Sequence, residues 1–372
     1  MIETYVEIDI DKIIDNINTV KNINNNSKFC AVIKANGYGL GSTEIASKIE
    51  DYVDYFAVAR LNEAIVLRRV GIKKPILTLG FVDYRDVDSI IENDIDITIY
   101  DLNYARLINK ETKGKINCHI GLDTGHSRIG FRENEIDSIL KLKKLDNINI
   151  ISAFSHFSMA DEDSDFTKIQ IKRFYNIIDQ LKDNFNFEFL HLSNSAGAIR
   201  YNPIEDMVRV GIAIYGIYPS EFIKNNTNIE LKQAFTFKSV VSFVKEIEKN
   251  TPISYGQSFI SDSKMKIATI PIGYADGYPR ALSNIGEVLI NGQICKVVGR
   301  VCMDQMMVDV SGLEVNIGDE VYIYPDIYKE ADKINTIVYD LMTAISIRVP
   351  RVYKKNGKII SIDDYLGEIY EN

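Results

Sequence analysis

The chain lacks several features that mark particular classes of protein. It contains no tryptophan and only four cysteines, which are Cys30, Cys118, Cys295 and Cys302. No two of these form a Cys-x-x-Cys pair, so neither a zinc site nor a disulfide framework is favoured, and we expect no metal. Each cysteine is best explained as a small buried hydrophobe.

Basic runs and long apolar runs are missing as well. The net charge of −9 without a basic run argues against binding to nucleic acid or to an anionic membrane surface. No stretch offers about 18 uninterrupted apolar residues, and the acidic start lacks the apolar centre of a signal peptide. We therefore expect a cytoplasmic protein without a membrane span, or the cytosolic portion of a longer membrane-anchored protein.

Strand-like and helix-like segments alternate over the first two thirds of the chain. Segments whose apolar residues recur at helical spacing separate eight strand-like runs. The strand-like runs lie at about 29–35, 55–60, 75–80, 96–101, 115–122, 148–156, 189–193 and 207–215. This alternation predicts the α/β class and a TIM-type (β/α)8 barrel. An open doubly wound sheet is the alternative, disfavoured because no G-x-G-x-x-G sequence begins a helix.

The pattern changes after about residue 232. Helical periodicity fades, and short alternating runs separated by turns such as Asn291-Gly292 replace it. We predict two domains: a barrel over residues 1–231 and a C-terminal all-β domain over residues 232–372.

Lys34 follows a continuous apolar run, Phe29–Ile33, and precedes a glycine-rich turn at Gly37 and Gly39. Desolvating an ammonium group is costly, and a lysine held at the end of a buried strand can lose its proton and form a Schiff base with a carbonyl. The structural alternative is a lysine that extends its amine to solvent at the barrel rim.

Other polar residues follow the remaining strands, where barrel enzymes place their chemistry. Each has a structural explanation: a core histidine, a helix cap, or an ion pair with Glu205 or Asp206. Together these residues offer an amine, an imidazole, a hydroxyl, free backbone N–H groups and a guanidinium. This set of groups suits a phosphorylated aromatic aldehyde, and pyridoxal phosphate is such a molecule. These residues are Lys34, His156, Ser195, Arg209, Gly211 and Ile212.

Five motifs occur in order along the chain: Val32–Gly39, Val208–Ile212, Ser254–Gly256, Gly273–Gly277 and Cys302–Gln305. Through them the chain resembles, nearly end to end, the alanine racemase family of barrel-type (fold type III) pyridoxal-phosphate enzymes. That family includes an alanine/serine racemase branch.

The resemblance implies roles for the barrel residues. Lys34 carries the cofactor, and His156 faces its ring. Arg209 meets the ring nitrogen, with His191 behind it. Because a guanidinium keeps its proton, the ring is a weaker electron sink, which suits a reaction that only removes and returns a proton. The phosphate is held by Tyr38, Ser195, Gly211 and Ile212.

The resemblance also implies a second base and a homodimer. Racemisation of alanine, which supplies D-alanine for bacterial cell-wall peptidoglycan, needs a base on each face of Cα. Lys34 serves one face, and Tyr255 from the other subunit serves the second. Arg128 or Arg209 is the candidate source of the positive surroundings that Tyr255 needs. The implied substrate-binding residues are Arg128, Tyr274, Cys302, Met303 and Asp304.

Three positions depart from the family pattern. Gly121 stands where a carbamylated lysine often accompanies Arg128, so a chloride or water is expected there. Leu40 replaces a histidine, with no known consequence. Ile347 replaces a tyrosine whose hydroxyl contacts the phosphate and crowds the substrate methyl group. We therefore hypothesise that serine is accepted along with alanine.

Two other functions fit the sequence less well. A basic amino-acid decarboxylase on the same barrel would need an acidic group for the distal amine and a cysteine-bearing motif, and neither is found. A non-catalytic pyridoxal-phosphate carrier protein would share Lys34 but lack everything after residue 232, including Tyr255.

Overall fold

The computed structural model describes residues 3–201, 205–365 and 367. The chain divides into two compact units, which we call the barrel unit and the C-terminal unit. The barrel unit comprises Lys12–Gly37 and Ser42–Gln233, and the C-terminal unit comprises Met1–Asp11, Tyr38–Gly41 and Ala234–Asn372. The domain boundary at residues 231 and 232 stays a prediction; the two units additionally group residues 1–11 and 38–41 with the C-terminal segment.

The strands in chain order are β1 (Tyr5–Asp9), β2 (Lys28–Val32), β3 (Tyr55–Val58), β4 (Ile76–Thr78), β5 (Asp96–Ile99), β6 (Ile116–Gly121), β7 (Ile148–Phe154), β8 (Phe189–His191), β9 (Met207–Val210), β10 (Phe235–Val240), β11 (Phe243–Ile247), β12 (Pro252–Ile253), β13 (Phe259–Ile260), β14 (Met265–Ile270), β15 (Glu287–Ile290), β16 (Gln293–Lys296), β17 (Met306–Asp309), β18 (Glu320–Ile323), β19 (Arg351–Lys355) and β20 (Lys358–Asp363).

The α-helices span Ile10–Ile23, Ser42–Ile49, Leu61–Arg69, Val87–Glu92, Leu102–Glu111, Ile136–Leu140, Phe166–Leu181, Ser195–Arg200, Glu221–Asn226, Ile327–Lys333 and Val338–Thr343. The helix Phe166–Leu181 shows why these segments pack on strands: Phe174, Ile177 and Leu181 recur at helical spacing and are buried.

The barrel unit contains one eight-stranded sheet in the order β8-β7-β6-β5-β4-β3-β2-β9, and neighbouring strands are parallel. The sheet nearly closes, because the backbone N–H of Arg209 donates to the carbonyl of Ser193 beyond β8, at 3.0 Å. The predicted (β/α)8 barrel is therefore confirmed. Parallel strands direct all their carboxyl ends to one end of the barrel, which we call the C-terminal end.

The C-terminal unit is built mainly from antiparallel strands. Its seven-stranded sheet has the order β16-β15-β18-β10-β1-β19-β20, and a three-stranded sheet has the order β11-β14-β17. The prediction of an all-β domain needs a correction, since helices Ile327–Lys333 and Val338–Thr343 also lie here. Asp326 caps the first of these by accepting the N–H groups of Tyr328 and Lys329, and Ile327 and Ala331 bury one face. The domain is mostly β.

No helix of the described ranges (3–201, 205–365 and 367) combines the length and the apolar character that crossing a membrane requires.

Candidate functional site

The chain after β2 forms a left-handed turn that carries Lys34. Residues Ala35, Asn36 and Gly37 have φ angles of 52°, 53° and 62°. Left-handed backbone is costly for residues with a Cβ and rarely extends over successive positions. The sequence-based prediction of a strand through residue 35 is therefore wrong: β2 ends at Val32, and the chain turns at Lys34.

Glu63 holds this turn in place. Its carboxylate accepts the backbone N–H of Ala35 at 2.6 Å, and it also accepts the N–H groups of Ala59 and Arg60 at 2.8 and 3.1 Å. One side chain therefore ties the segment after β2 to the segment after β3. The sequence analysis did not single out Glu63, because its position in the helix Leu61–Arg69 looks like an ordinary capping position.

Lys34 lies in a crowded, positively charged environment. Burial lowers the pKa of its amine, and the charges of Arg128 and Arg209 lower that pKa further, while Glu63 acts in the opposite direction. The amine is therefore closer to its neutral, nucleophilic form at neutral pH than an exposed lysine is.

Arg209 is the buried cation of the site, with 3% of its surface exposed. Its Nη1 donates to His191 Nδ1 at 2.9 Å, and its Nη2 donates to the carbonyls of Ser155 and Leu192 at 2.7 and 3.2 Å. Burial lowers the pKa of Arg209 to about 10, so the guanidinium is still charged at neutral pH. Within the described part of the chain, no carboxylate pairs with it inside 4.0 Å.

His191 and a second histidine continue from Arg209 into the barrel interior. His191 Nε2 lies 2.9 Å from His119 Nδ1, and both side chains are fully buried. Desolvation, helped by the charge of Arg209, holds the pKa of His191 well below its usual range, so His191 is neutral. His119 was missed by the sequence analysis, although a histidine inside the apolar strand β6 is a detectable signal.

His156 lies beside Arg209, with its Nδ1 3.4 Å from the Arg209 Nη2. Desolvation lowers its pKa well below the usual range, and the charges of Arg209, Arg128, His126 and Lys34 act in the same direction. The neutral ring can therefore serve as a flat packing surface in the site.

Ser195, Gly211 and Ile212 meet where the segments after β8 and β9 come together. The Gly211 N–H donates to the Ser195 Oγ at 3.0 Å, and Ile212 begins a short 3-10 helix, Ile212–Tyr215. A hydroxyl and successive backbone N–H groups at this point of a barrel are typical of a phosphate site.

Arg128 and Tyr38 are the two remaining residues that the sequence predicts for the site at the C-terminal end of the barrel, and they occupy different environments. Arg128 lies in the exposed loop after β6 and acts on Lys34 and His156 through its charge. Tyr38 is buried and belongs to the C-terminal unit, where its ring centroid lies 6.0 Å from that of Tyr339.

The C-terminal unit gathers the other predicted residues into one exposed patch, which we call the tyrosine patch. Its hydrogen bonds link four loops: Ser254 Oγ donates to the Arg300 carbonyl at 2.6 Å, and the Tyr274 N–H donates to the Cys302 carbonyl at 3.0 Å. Arg348 joins Asp276 and Asp304, each at 2.7 Å. The patch comprises Tyr255, Tyr274, Cys302, Met303, Asp304 and Ile347, and Tyr255 is 67% exposed.

No group of three or more metal-binding side chains occurs among the residues that the structure describes. Of the four cysteines, Cys302 is partly exposed, and the other three are buried. The functional groups at the C-terminal end of the barrel are nitrogen bases and hydroxyls.

Comparison with known proteins shows which family the chain resembles. The family model "Alanine racemase, N-terminal domain" matches residues 8–219, and "Alanine racemase, C-terminal domain" matches residues 234–353. An alanine racemase from Clostridium perfringens is 41% identical over 380 residues, which cover 97% of this chain and 98% of that relative.

Solved structures match over nearly the whole chain. An alanine racemase from Clostridium difficile 630 superposes with a TM-score of 0.93 at 38% identity, over 98% of this chain and 99% of that one. The structure of an alanine racemase from Bacillus anthracis gives a TM-score of 0.95 at 34% identity, over 99% of both chains. The fold and these matches define the class, the barrel-type (fold type III) pyridoxal-phosphate enzymes. Within that class, the chain belongs to the alanine racemase family.

The residues of the barrel end fit the cofactor of this class. An aldehyde needs an amine of lowered pKa, which Lys34 provides. A phosphate needs N–H or O–H donors, and the Ser195 hydroxyl and the backbone near Gly211 offer such groups. A flat heteroaromatic ring needs a donor at its nitrogen, and Arg209 is a buried cation with N–H groups to donate.

Proposed function

We propose that the protein interconverts L- and D-alanine with pyridoxal 5'-phosphate, as a homodimer with two shared active sites. The observation that carries the proposal is the position of Lys34, whose amine has a lowered pKa beside a buried guanidinium and a neutral imidazole. The family membership agrees, and the Bacillus anthracis relative was solved with bound L-Ala-P.

The cofactor would be held by seven residues, which are Lys34, Tyr38, His156, Ser195, Arg209, Gly211 and Ile212. When bound, pyridoxal phosphate withdraws electrons from the substrate Cα and makes its proton acidic. Arg209 stays charged at neutral pH and donates a hydrogen bond without giving up its proton. His156, kept neutral by its cationic neighbours, packs without adding charge.

Two groups move the proton. Lys34 Nζ takes the Cα proton on one face, and the Tyr255 hydroxyl donates a proton on the opposite face; the roles reverse for the other enantiomer. Arg128 supplies a charge for the substrate carboxylate, and backbone N–H groups near Met303 supply hydrogen bonds. Cys302, Asp304 and Tyr274 complete the substrate contacts.

The exposure of the tyrosine patch supports the proposed dimer. Tyr255, Met303 and Ile347 are 67%, 52% and 57% exposed and lie together in the patch, and a cluster of exposed apolar and aromatic side chains is typical of a protein–protein contact surface. We propose that the patch of one protomer completes the barrel site of the other. The product D-alanine would serve bacterial cell-wall peptidoglycan.

The test is exchange and inversion at Cα. The cofactor-loaded protein is incubated with L-alanine in deuterium oxide, and loss of the Cα–H signal and gain of D-alanine are followed together. Wild-type protein should show both, and Lys34→Ala should show neither. Tyr255→Phe should retain exchange on one face and lose inversion. Cofactor bound to Lys34 without any exchange in the wild type would contradict the proposal and favour the carrier protein.

A second substrate, serine, is favoured by Ile347. This aliphatic residue is 57% exposed on the tyrosine patch and offers no hydroxyl where the family pattern has tyrosine. We propose that the altered pocket admits a hydroxymethyl group. The kcat/KM values for L-serine and L-alanine should then lie within about a hundredfold, a difference worth under about 3 kcal/mol. The Ile347→Tyr variant should lower the serine value selectively, and serine turnover several hundredfold slower in the wild type would contradict this alternative.

A further inference from the structure

Tyr255 lies on a short turn whose backbone is strained at the residue before it. The turn, Ser254–Ser258, joins the antiparallel strands β12 and β13, in which Ile253 pairs with Phe259. We call it the Tyr255 turn. Ser254 has a φ angle of 64° and a ψ angle of −177°. Only glycine adopts this combination readily, because a Cβ crowds the backbone there, so a serine needs contacts that hold it in place.

The Ser254 side chain makes such a contact. Its Oγ donates to the Arg300 carbonyl at 2.6 Å, and the Cys302 Sγ lies 3.9 Å from the same oxygen. Within the turn, the Gln257 N–H donates to the Ser254 carbonyl at 3.2 Å. The Ser254 hydroxyl therefore ties the residue before Tyr255 to a second loop of the C-terminal unit.

The loop that carries Arg300 is itself held in place. The backbone N–H groups on either side of Arg300 donate to the Asn284 Oδ1 at 2.6 Å and to the Ser283 Oγ at 3.0 Å. Asn284 also donates from its Nδ2 to the Ser258 carbonyl at 3.2 Å. The Arg300 carbonyl is therefore an acceptor of fixed position, and the Tyr255 turn is attached to the same part of the unit at both of its ends.

Gly299 lets the two loops approach each other this closely. A Cβ at Gly299 would lie 2.6 Å from the Ser254 Cβ and 3.1 Å from the Ile253 carbonyl oxygen. The first distance is too short for two carbon atoms that are not bonded. The fold thus leaves room for a side chain at position 254, although the backbone there has a conformation in which glycine is the least costly residue.

We propose that Ser254 is a positioning residue for Tyr255: its hydroxyl, bonded to the Arg300 carbonyl, holds the preceding backbone in a strained conformation and thereby fixes where the tyrosine is presented. The consequence for racemisation rests on the proposed function, whereas the strain and the attachment do not. Without the bond the turn would relax and move Tyr255. Proton transfer needs a positioned hydroxyl, and a displacement of about 1 Å costs about a hundredfold in rate.

Two substitutions separate the strain from the hydrogen bond. Ser254→Ala removes the hydroxyl but keeps the Cβ and therefore the strain, whereas Ser254→Gly removes both. In urea unfolding of cofactor-free protein at equal concentration, the midpoint of Ser254→Ala should lie below that of wild type. The midpoint of Ser254→Gly should lie above that of Ser254→Ala, although glycine gives the unfolded chain more freedom. Without strain at position 254, the glycine variant would be the less stable of the two.

Amide hydrogen exchange of cofactor-free protein measures the attachment of the turn. The peptide that contains the Tyr255 turn should exchange faster in both Ser254 variants than in wild type, because the turn has lost its bond to the second loop. The matched control is Ser242→Ala, an exposed serine of the C-terminal unit whose Oγ donates to the Thr269 carbonyl at 3.0 Å. This variant also loses a hydroxyl bonded to a carbonyl, and exchange in the Tyr255 turn should stay as in wild type.

The cofactor-loaded protein supplies a readout that a general loss of structure would not give. L-alanine and D-alanine are incubated separately in deuterium oxide. In both Ser254 variants, the enantiomer whose Cα proton faces Lys34 should keep exchange near the wild-type rate. The enantiomer whose proton faces Tyr255 should lose exchange about tenfold or more, and inversion should fall with it. Ser242→Ala should match wild type for both enantiomers.

Three results would overturn the proposal: a Ser254→Gly midpoint at or below that of Ser254→Ala, unchanged exchange of the turn in the Ser254 variants, or equal losses for both enantiomers of alanine. If Ser254→Ala does not fold while Ser254→Gly does, the strain is confirmed, and the glycine variant answers the other two measurements. If wild-type protein neither binds the cofactor nor exchanges alanine, the proposed function fails. The two measurements on cofactor-free protein then still decide whether Ser254 holds the turn.

Discussion

Lys34 shares the C-terminal end of the barrel with Arg128 and Arg209, whose charges lower the pKa of its amine. These side chains come from different strand ends, and nothing local in the sequence reports their electrostatic coupling. The coupling matters because only the neutral amine attacks a carbonyl or removes a proton.

Arg128→Gln should therefore raise the pKa of Lys34, because it removes a like charge from the neighbourhood of the amine. The measurement is the pH dependence of reductive methylation of Lys34 in cofactor-free protein, followed by mass spectrometry, and its midpoint should move to higher pH. The control is Arg132→Gln, an exposed arginine that lies 3.9 Å from Asp123 and does not act on Lys34. A midpoint equal to that of wild type would contradict the electrostatic account.

His191 makes the second prediction at this scale. Its pKa is well below the usual range in the folded protein and returns to about 6.5 on unfolding, so below that pH the unfolded state binds more protons. Stability should therefore rise with pH in this range and fall as the pH drops below about 6.5, by up to about 1.4 kcal/mol per pH unit from this residue. Urea unfolding of wild type and His191→Gln between pH 5 and 7 tests this, and equal slopes for the two proteins would contradict it.

At the scale of elements, the left-handed turn Lys34–Tyr38 and its contact with Glu63 decide how the first strand of the barrel presents its lysine. Ala35 adopts a positive φ angle that its residue type does not favour, so the surrounding hydrogen bonds must maintain the turn.

Glu63→Ala should destabilise the protein by about 1–2 kcal/mol, because three backbone N–H groups lose their acceptor. It should also slow the reaction of Lys34 with pyridoxal phosphate, which is measured by the growth of cofactor absorbance. Glu92→Ala, at an exposed helix end, is the matched control and should stay within about 0.5 kcal/mol of wild type. Similar losses in both variants would mean that Glu63 is an ordinary surface residue.

The same elements show what a sequence can predict. Seven of the eight barrel strands lie within the predicted runs, and β2 begins one residue before its run, because buried parallel strands are continuous apolar segments bounded by turns. The prediction fails at residues 33–35 and 212–215, where apolar residues continue but the backbone leaves the strand. Lys34, His156 and Ser195 could be grouped because they follow strands, and Arg209 could be added because it lies near the end of β9. Ser254 could not be singled out, since no local feature of the sequence reports its positive φ angle.

At the scale of the whole molecule, we propose that each active site takes Lys34 from one protomer and Tyr255 from the other. The barrel unit holds the first residue and the C-terminal unit holds the second. Tyr255 is exposed within a patch that also contains Met303 and Asp304.

Subunit complementation tests this claim most directly. Lys34→Ala and Tyr255→Phe proteins, each inactive in alanine racemisation, are mixed, dissociated and allowed to reassociate. If the sites are shared, each mixed dimer contains one site with both native residues, and equal mixing should restore about a quarter of wild-type activity. If Lys34 and Tyr255 of the same chain act together, every site in every dimer lacks one base. A mixture that remains inactive despite proven exchange of subunits would therefore contradict the shared site.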